Sequence, residues 1–97
     1  MKLEITSRDH DLSDFLQNHI EERIQKIDKY THGEGDAHII LERGASGQSV
    51  EVTVHALHKT MHAREEGEHV RECIDKSLAK IESQIRKHKE KMTERRP

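Results

Sequence analysis

The chain has 97 residues, of which 31% are hydrophobic, 37% charged and 2% aromatic, with a formal net charge of −2. That length accommodates one compact domain and no deep cleft between domains. No stretch nears the ~20 apolar residues of a membrane span, no apolar signal-peptide segment follows Met1, and the single cysteine, Cys73, excludes an internal disulfide or a cysteine-based zinc site and suits a reducing, cytoplasmic compartment. A composition this polar borders on disorder, so periodicity has to supply the core.

Lys2–Arg8 is predicted to be a strand, because Leu3 and Ile5 alternate with Glu4 and Thr6. The polar segment 9–12 ends it. Ser13 is a good N-cap, with a hydroxyl that accepts from the first open backbone N–H groups, and Asp14 suits the positive end of a helix dipole. Leu16, Ile20, Ile24 and Ile27 then form one helical stripe, flanked by Phe15 and Tyr30. The spacing predicts a helix over 14–30, stopped by the glycines of segment 31–35. A second strand is expected over 36–43, with Ala37, Ile39 and Leu41 on one side. Gly44-Ala45-Ser46-Gly47 is a turn. The third strand, 48–57, shows the clearest alternation: Val50, Val52, Val54 and Ala56 share a face. A fourth follows over 59–65, with Met61 and Ala63 inward. The turn between these two, Leu57-His58-Lys59, contains neither Gly nor Asn, so its geometry is not legible. From 68 to 92 the pattern is helical, carried by Val70, Ile74, Leu78, Ile81 and Ile85 with Met92 in line. Twenty-five helical residues span roughly 37 Å. The apolar stripe is dense only to Ile85, so the last two turns are expected to project past the core, with residues 93–97 frayed.

The order β-α-β-β-β-α, with one apolar face per element, predicts an α+β fold: a four-stranded sheet with both helices packed on one face. The first two strands, joined through a helix, are expected to be parallel neighbours by a right-handed crossover.

The net charge conceals a division. Residues 1–75 carry 9 Lys/Arg against 16 Asp/Glu, a balance of −7, while residues 76–97 carry 8 against 3, a balance of +5; together they give −2. Such a split suggests a basic arm facing an anionic partner. Advancing about 100° per residue from Lys76, Lys80 falls at about 40°, Lys87 at about 20° and Lys91 at about 60°. The last helix thus has an apolar side, a lysine side and an acidic side holding Glu72, Asp75, Glu82 and Glu90. Arg86, Lys89, Arg95 and Arg96 add charge toward its end, and Arg23, Lys26 and Lys29 of the first helix are placed to extend that surface. Ion pairs spaced three or four apart on a solvated face would also produce such a pattern. The functional reading is a ridge that tracks phosphates, since lysine is a compact point charge suited to backbone phosphate rather than to particular bases.

Other chemistry finds less support. His38, His55 and His62 are expected on the outward sheet face, but a zinc site needs three or four converging ligands, and no metal-binding motif is present, so no metal or cofactor is expected. No nucleophile elbow, phosphate loop or His-Glu-x-x-His occurs, which argues against an enzyme and a small-molecule substrate. Cys73 lies at the edge of the apolar stripe, where an inert thiol is expected. The strands lack the aromatics that stack RNA bases, leaving recognition of shape and phosphate.

Several segments resemble the short ribosome hibernation-promoting factors, also called ribosome-associated inhibitor or sigma-54 modulation proteins. They are Leu3-Glu4-Ile5-Thr6-Ser7-Arg8, Glu22-Arg23-Ile24-Gln25-Lys26-Ile27-Asp28-Lys29-Tyr30, Val52-Thr53-Val54-His55, Met61-His62-Ala63, Glu66-Gly67 with Ile74-Asp75, and above all the basic run from Lys80 to Lys91. The likeness covers nearly the whole chain. It implies a β-α-β-β-β-α fold akin to double-stranded-RNA-binding domains, and one ribosome-binding domain over 1–97 with a basic helix end and tail over 86–97. It also implies binding to the small ribosomal subunit and its ribosomal RNA in the decoding region, a steric block of messenger RNA and A- and P-site transfer RNA, and a role in stress and translation regulation. Carried over by position, the contacts are Arg23, Lys26, Lys29, Lys80, Lys87, Lys89 and Lys91; the stripe adds Lys76, and the basic helix end adds Arg86. An alternative is a protein-interaction module that modulates a transcription factor, as the sigma-54 name suggests. The chain departs from the family at Ser83, often Arg; at Leu57-His58-Lys59, often an Asn-Gly turn; and at His69 and Arg71, usually Asp and an aromatic. Loss of that Asp as a cap is expected to cost ~1 kcal/mol. The second domain of long members, implicated in pairing ribosomes, is not expected here, nor is pairing by this chain alone.

Overall fold

Alternating side chains and helical stripes resolve into β1 (Lys2–Arg8), α1 (Asp14–Thr31), β2 (Asp36–Gly44), β3 (Gly47–Ala56), β4 (Lys59–Gly67) and α2 (Val70–Glu94). The computed structural model describes residues 1–8 and 11–94, with side chains up to residue 92. Of the polar segment 9–12, positions 9 and 10 therefore lie outside the described residues, as do Arg95, Arg96 and the last proline of the tail.

The sheet order is β1-β2-β3-β4. β1 and β2 are parallel neighbours, as a helical crossover requires. β2 with β3 and β3 with β4 are antiparallel hairpins. Ala37, Ile39 and Leu41, Val50, Val52, Val54 and Ala56, and Met61 and Ala63 are all buried on one face. Ile20, Ile24 and Ile27 of α1 and Ile74, Leu78, Ile81 and Ile85 of α2 cover that face. Each large side chain buried this way contributes up to about 1.5–3 kcal/mol. Enough apolar material exists for a core because nearly all of it points one way.

β2 ends at Gly44 and β3 runs from Gly47 to Ala56, each one residue from the sequence expectation; the other boundaries that differ have local reasons. α1 ends one residue later, and His32, not a glycine, takes the left-handed C-cap at φ 55°, its N–H donating to the Asp28 carbonyl. β4 runs on to Gly67, because Gln48 pairs with that residue across the sheet. α2 begins at Val70, where the His69 carbonyl accepts from the Cys73 N–H at 3.1 Å and takes the cap position. Residues 93 and 94, expected to fray, are still helical.

Candidate nucleic-acid interface

The strand register defines two ends of the molecule. Lys2, Asp36, His55 and Thr60 form one row across the sheet; Arg8, Glu42, Ser49 and Glu66 form the row at the opposite end. Both helices start near the Glu66 row and run toward the Lys2 row. The Met1 ammonium donates to Asp28 and to the Gly33 carbonyl at the C-terminus of α1. His88 of α2 donates from Nε2 to the Leu57 carbonyl at 2.9 Å, beside the same row. The positive charge of α2's second half therefore gathers at one pole, together with Lys26 and Lys29 from the last turns of α1. Glu42, Glu65, Glu66, Glu68 and Glu72 gather toward the other. The division along the sequence is carried only in part into space: Asp28 and Asp36 stay at the basic pole, Arg8 and Arg64 at the acidic one, and Lys80 pairs with Glu65.

The α1–α2 seam is polar and specific. His19 Nε2 lies 2.6 Å from Asp75 Oδ1. Arg23 reaches the Asp75 carbonyl at 3.4 Å and its carboxylate at 3.9 Å. The Tyr30 hydroxyl donates to Glu82 at 3.3 Å. Lys89 Nζ donates to the Tyr30 carbonyl at 2.9 Å. That last contact sets a cation on open carbonyls at a helix C-terminus, where the dipole favours it. Asp75 and Glu82 are thus not a solvated acidic face, as the helix pattern suggests; they hold α2 against α1. His88 and Lys89 still make contacts, so α2 projects beyond the core one turn later than the apolar stripe implies.

The lysine side of α2 consequently faces β4, away from α1. Lys80 pairs with Glu65. The Lys80 hydrogen bond is the main influence holding the Glu65 carboxyl below its usual range; partial burial opposes it, and the charges of Lys80 and Lys76 add to it. Gln84, on the same side, donates to the His62 carbonyl of β4 at 3.0 Å. Arg23 and the lysine stripe therefore do not form one continuous surface along the length of the helices. α1 and α2 bring their cations together only at the Lys2 end.

Of the nine positions singled out from sequence, Arg23, Lys80 and Lys89 are engaged within the fold. Lys26, Lys29, Lys76, Arg86, Lys87 and Lys91 are exposed. Sequence reasoning passed over Lys59, an exposed cation that the β3–β4 hairpin brings to the same pole. It carried no helical pattern, and only strand register and the His88 contact reveal where it lies.

The remaining features stay local. His38, His55 and His62 sit on the open sheet face, bonded to Thr6, Thr60 and Thr53 at 2.9, 2.9 and 3.1 Å. Among the described residues, no three His, Cys, Asp or Glu side chains form a group that could hold a metal ion, and no helix is long and apolar enough to cross a membrane. Cys73 is buried and its thiol is pushed up, chiefly by burial and then by the charge of Glu65. Phe15 is 61% exposed, parallel to the His19 ring with centroids 6.5 Å apart and beneath the Arg71 guanidinium at 5.3 Å.

Comparison with known proteins agrees with this architecture. The Ribosome hibernation promoting factor of Azotobacter vinelandii is 28% identical over 95 residues, covering 98% of this chain and 89% of that protein. Its counterpart in Escherichia coli is 24% identical over 92 residues, covering 95% and 97%. Ribosome-associated factor Y of Haemophilus influenzae is 28% identical over 96 residues, covering 99% and 90%. Among solved structures, a ribosomal subunit interface protein from Coxiella burnetii superposes with a TM-score of 0.81 at 24% identity, covering 92% of this chain and 98% of that one. The N-terminal domain of Thermus thermophilus Protein Y does so with a TM-score of 0.80 at 20% identity, covering 91% and 99%. These two show the fold. The family profile described as Sigma 54 modulation protein / S30EA ribosomal protein matches residues 3–93. With the profile spanning nearly the whole chain, the protein belongs to the Sigma 54 modulation protein / S30EA ribosomal protein family.

Proposed function

We propose that this protein is a ribosome hibernation factor: a non-catalytic cytoplasmic protein that binds the small ribosomal subunit through ribosomal RNA. In this reading it occupies the decoding region and sterically excludes messenger RNA and the A- and P-site transfer RNAs. The observation that supports it most is the gathering of exposed Lys26, Lys29, Lys87 and Lys91 toward one pole of a chain with a net charge of −2. Two packed helices bring these cations to one end, where each, on a flexible stem, is within reach of a common run of phosphates. The relatives' names point to the ribosome, and the absence of aromatics from the strands leaves phosphate and shape as the means of recognition.

Cosedimentation with small subunits across a salt series tests it. Six exposed cations, each meeting one phosphate, give a slope of log K against log salt of about −4 by the single-strand coefficient. Replacing Lys29, Lys87 and Lys91 by Glu is expected to abolish cosedimentation at physiological salt while leaving the fold intact. A flat salt dependence, or full binding by that triple variant, overturns the reading. The second outcome would favour a protein-interaction module acting on a transcription factor.

A further inference from the structure

The β3–β4 turn is built against the conformational preferences of its residues. Ala56 pairs with Lys59, leaving Leu57 and His58 as a two-residue loop with φ values of 54° and 60°. A hairpin loop with both central residues at positive φ favours Asn-Gly. A bulky leucine there is a genuine outlier. Strain of this kind persists where the surroundings enforce it, and it tends to cluster at functional positions.

The surroundings here are specific. His88 Nε2 holds the Leu57 carbonyl at 2.9 Å, and Leu57 packs against the core. The loop is thereby locked onto α2 while His58 and Lys59 remain exposed. His55, Ala56, His58, Lys59 and Thr60 line a shallow depression at this tip. Lys87 immediately precedes His88, and Lys91 follows it by three positions, within about 6 Å along the helix surface. The fold therefore presents a hairpin cation and two helix cations around one point, from elements about thirty residues apart in the chain.

We infer that the β3–β4 tip is a second RNA contact, in which Lys59 and His58 take phosphodiester oxygens of the strand that Lys87 and Lys91 engage. This rests on the RNA-binding reading above. A phosphate backbone fits better than an acidic peptide because the patch offers point charges and N–H donors around a shallow depression of mixed lining, too open to anchor an apolar side chain.

The test uses the full chain and purified small subunits, with the variants Lys59→Gln, His58→Gly and, as a control on the ridge, Lys87→Gln. Lys59→Gln is expected to reduce the magnitude of the salt slope by about 0.7 and to weaken binding roughly fourfold near 0.15 M salt. His58→Gly relieves positive φ, so it is expected to raise the melting temperature while weakening binding at least about twofold, a pairing that a purely structural role does not produce. If Lys59→Gln leaves the slope unchanged while Lys87→Gln lowers it, the tip is not a phosphate contact and the ridge stands. If neither variant changes the slope, the RNA reading fails and this inference fails with it. Weaker binding by Lys59→Gln at an unchanged slope points to a protein surface and overturns the phosphate assignment. A lower melting temperature for His58→Gly overturns the part assigned to His58.

Discussion

Lys80 and Lys87 look equivalent on a helical wheel, yet their neighbours give them different roles. Lys80 is held by Glu65, whose lowered pKa records the contact. A carboxyl with a folded pKa below its unfolded value stabilises the fold above the ordinary glutamate range. That contribution is lost as pH falls through the lowered folded value. Lys80→Met is therefore expected to move the Glu65 titration midpoint up toward an ordinary glutamate in an NMR titration. It should also flatten the acid side of the melting-temperature profile. An unmoved midpoint would mean that the pair does not persist in solution. Lys87 has no such duty in the contacts described, so its charge remains available to a partner. The stripe could be read from sequence, but which lysines are occupied could not, because Glu65 lies eleven or more positions away on a strand.

At the scale of elements, alternation and helical spacing were sufficient for the strands and for the buried face of each helix. Val50, Val52 and Val54 leave no other register, since a slip of one residue would expose them all. The connections were less legible. Gly35, with φ at +94°, passes so close to β3 that a Cβ there would meet the His55 carbonyl and lie 2.9 Å from the Ala56 side chain. From sequence it reads only as a helix stop. Gly35→Ala is expected to cost roughly 2 kcal/mol or more in chemical denaturation, because it combines strain at positive φ with a backbone clash. A loss below about 0.5 kcal/mol would show that the crossover relaxes freely. The β3–β4 turn was illegible for the opposite reason: its residues do not favour the geometry that the strand register and His88 impose. The helix seam of His19, Arg23 and Tyr30 with Asp75 and Glu82 likewise joins groups that no periodicity links.

Across the whole molecule, exposed lysines are in excess at one end and glutamates at the other, although Asp28 and Asp36 lie at the basic end and Arg8 and Arg64 at the acidic end. The acidic end has a predictable use. Glu66 and Glu68 lie far from the basic pole, so their repulsion should bear on RNA approaching in other orientations. The double change Glu66→Lys and Glu68→Lys is expected to raise retention on unrelated RNA in filter binding severalfold. The salt slope for the small subunit should stay within about one unit, since those positions make no proposed contact. An equal gain on both would mean that net charge, rather than its placement, governs binding.

By itself the sequence determined the order of elements, the single core and the gathering of cations in the last 22 residues, because period-two and helical patterns are local properties of the chain. Tertiary structure decided which of those cations face a partner. Charge pairing depends on which elements lie side by side, and α2 turns its acidic side to α1, its lysine side to β4 and its basic end to the β3–β4 tip.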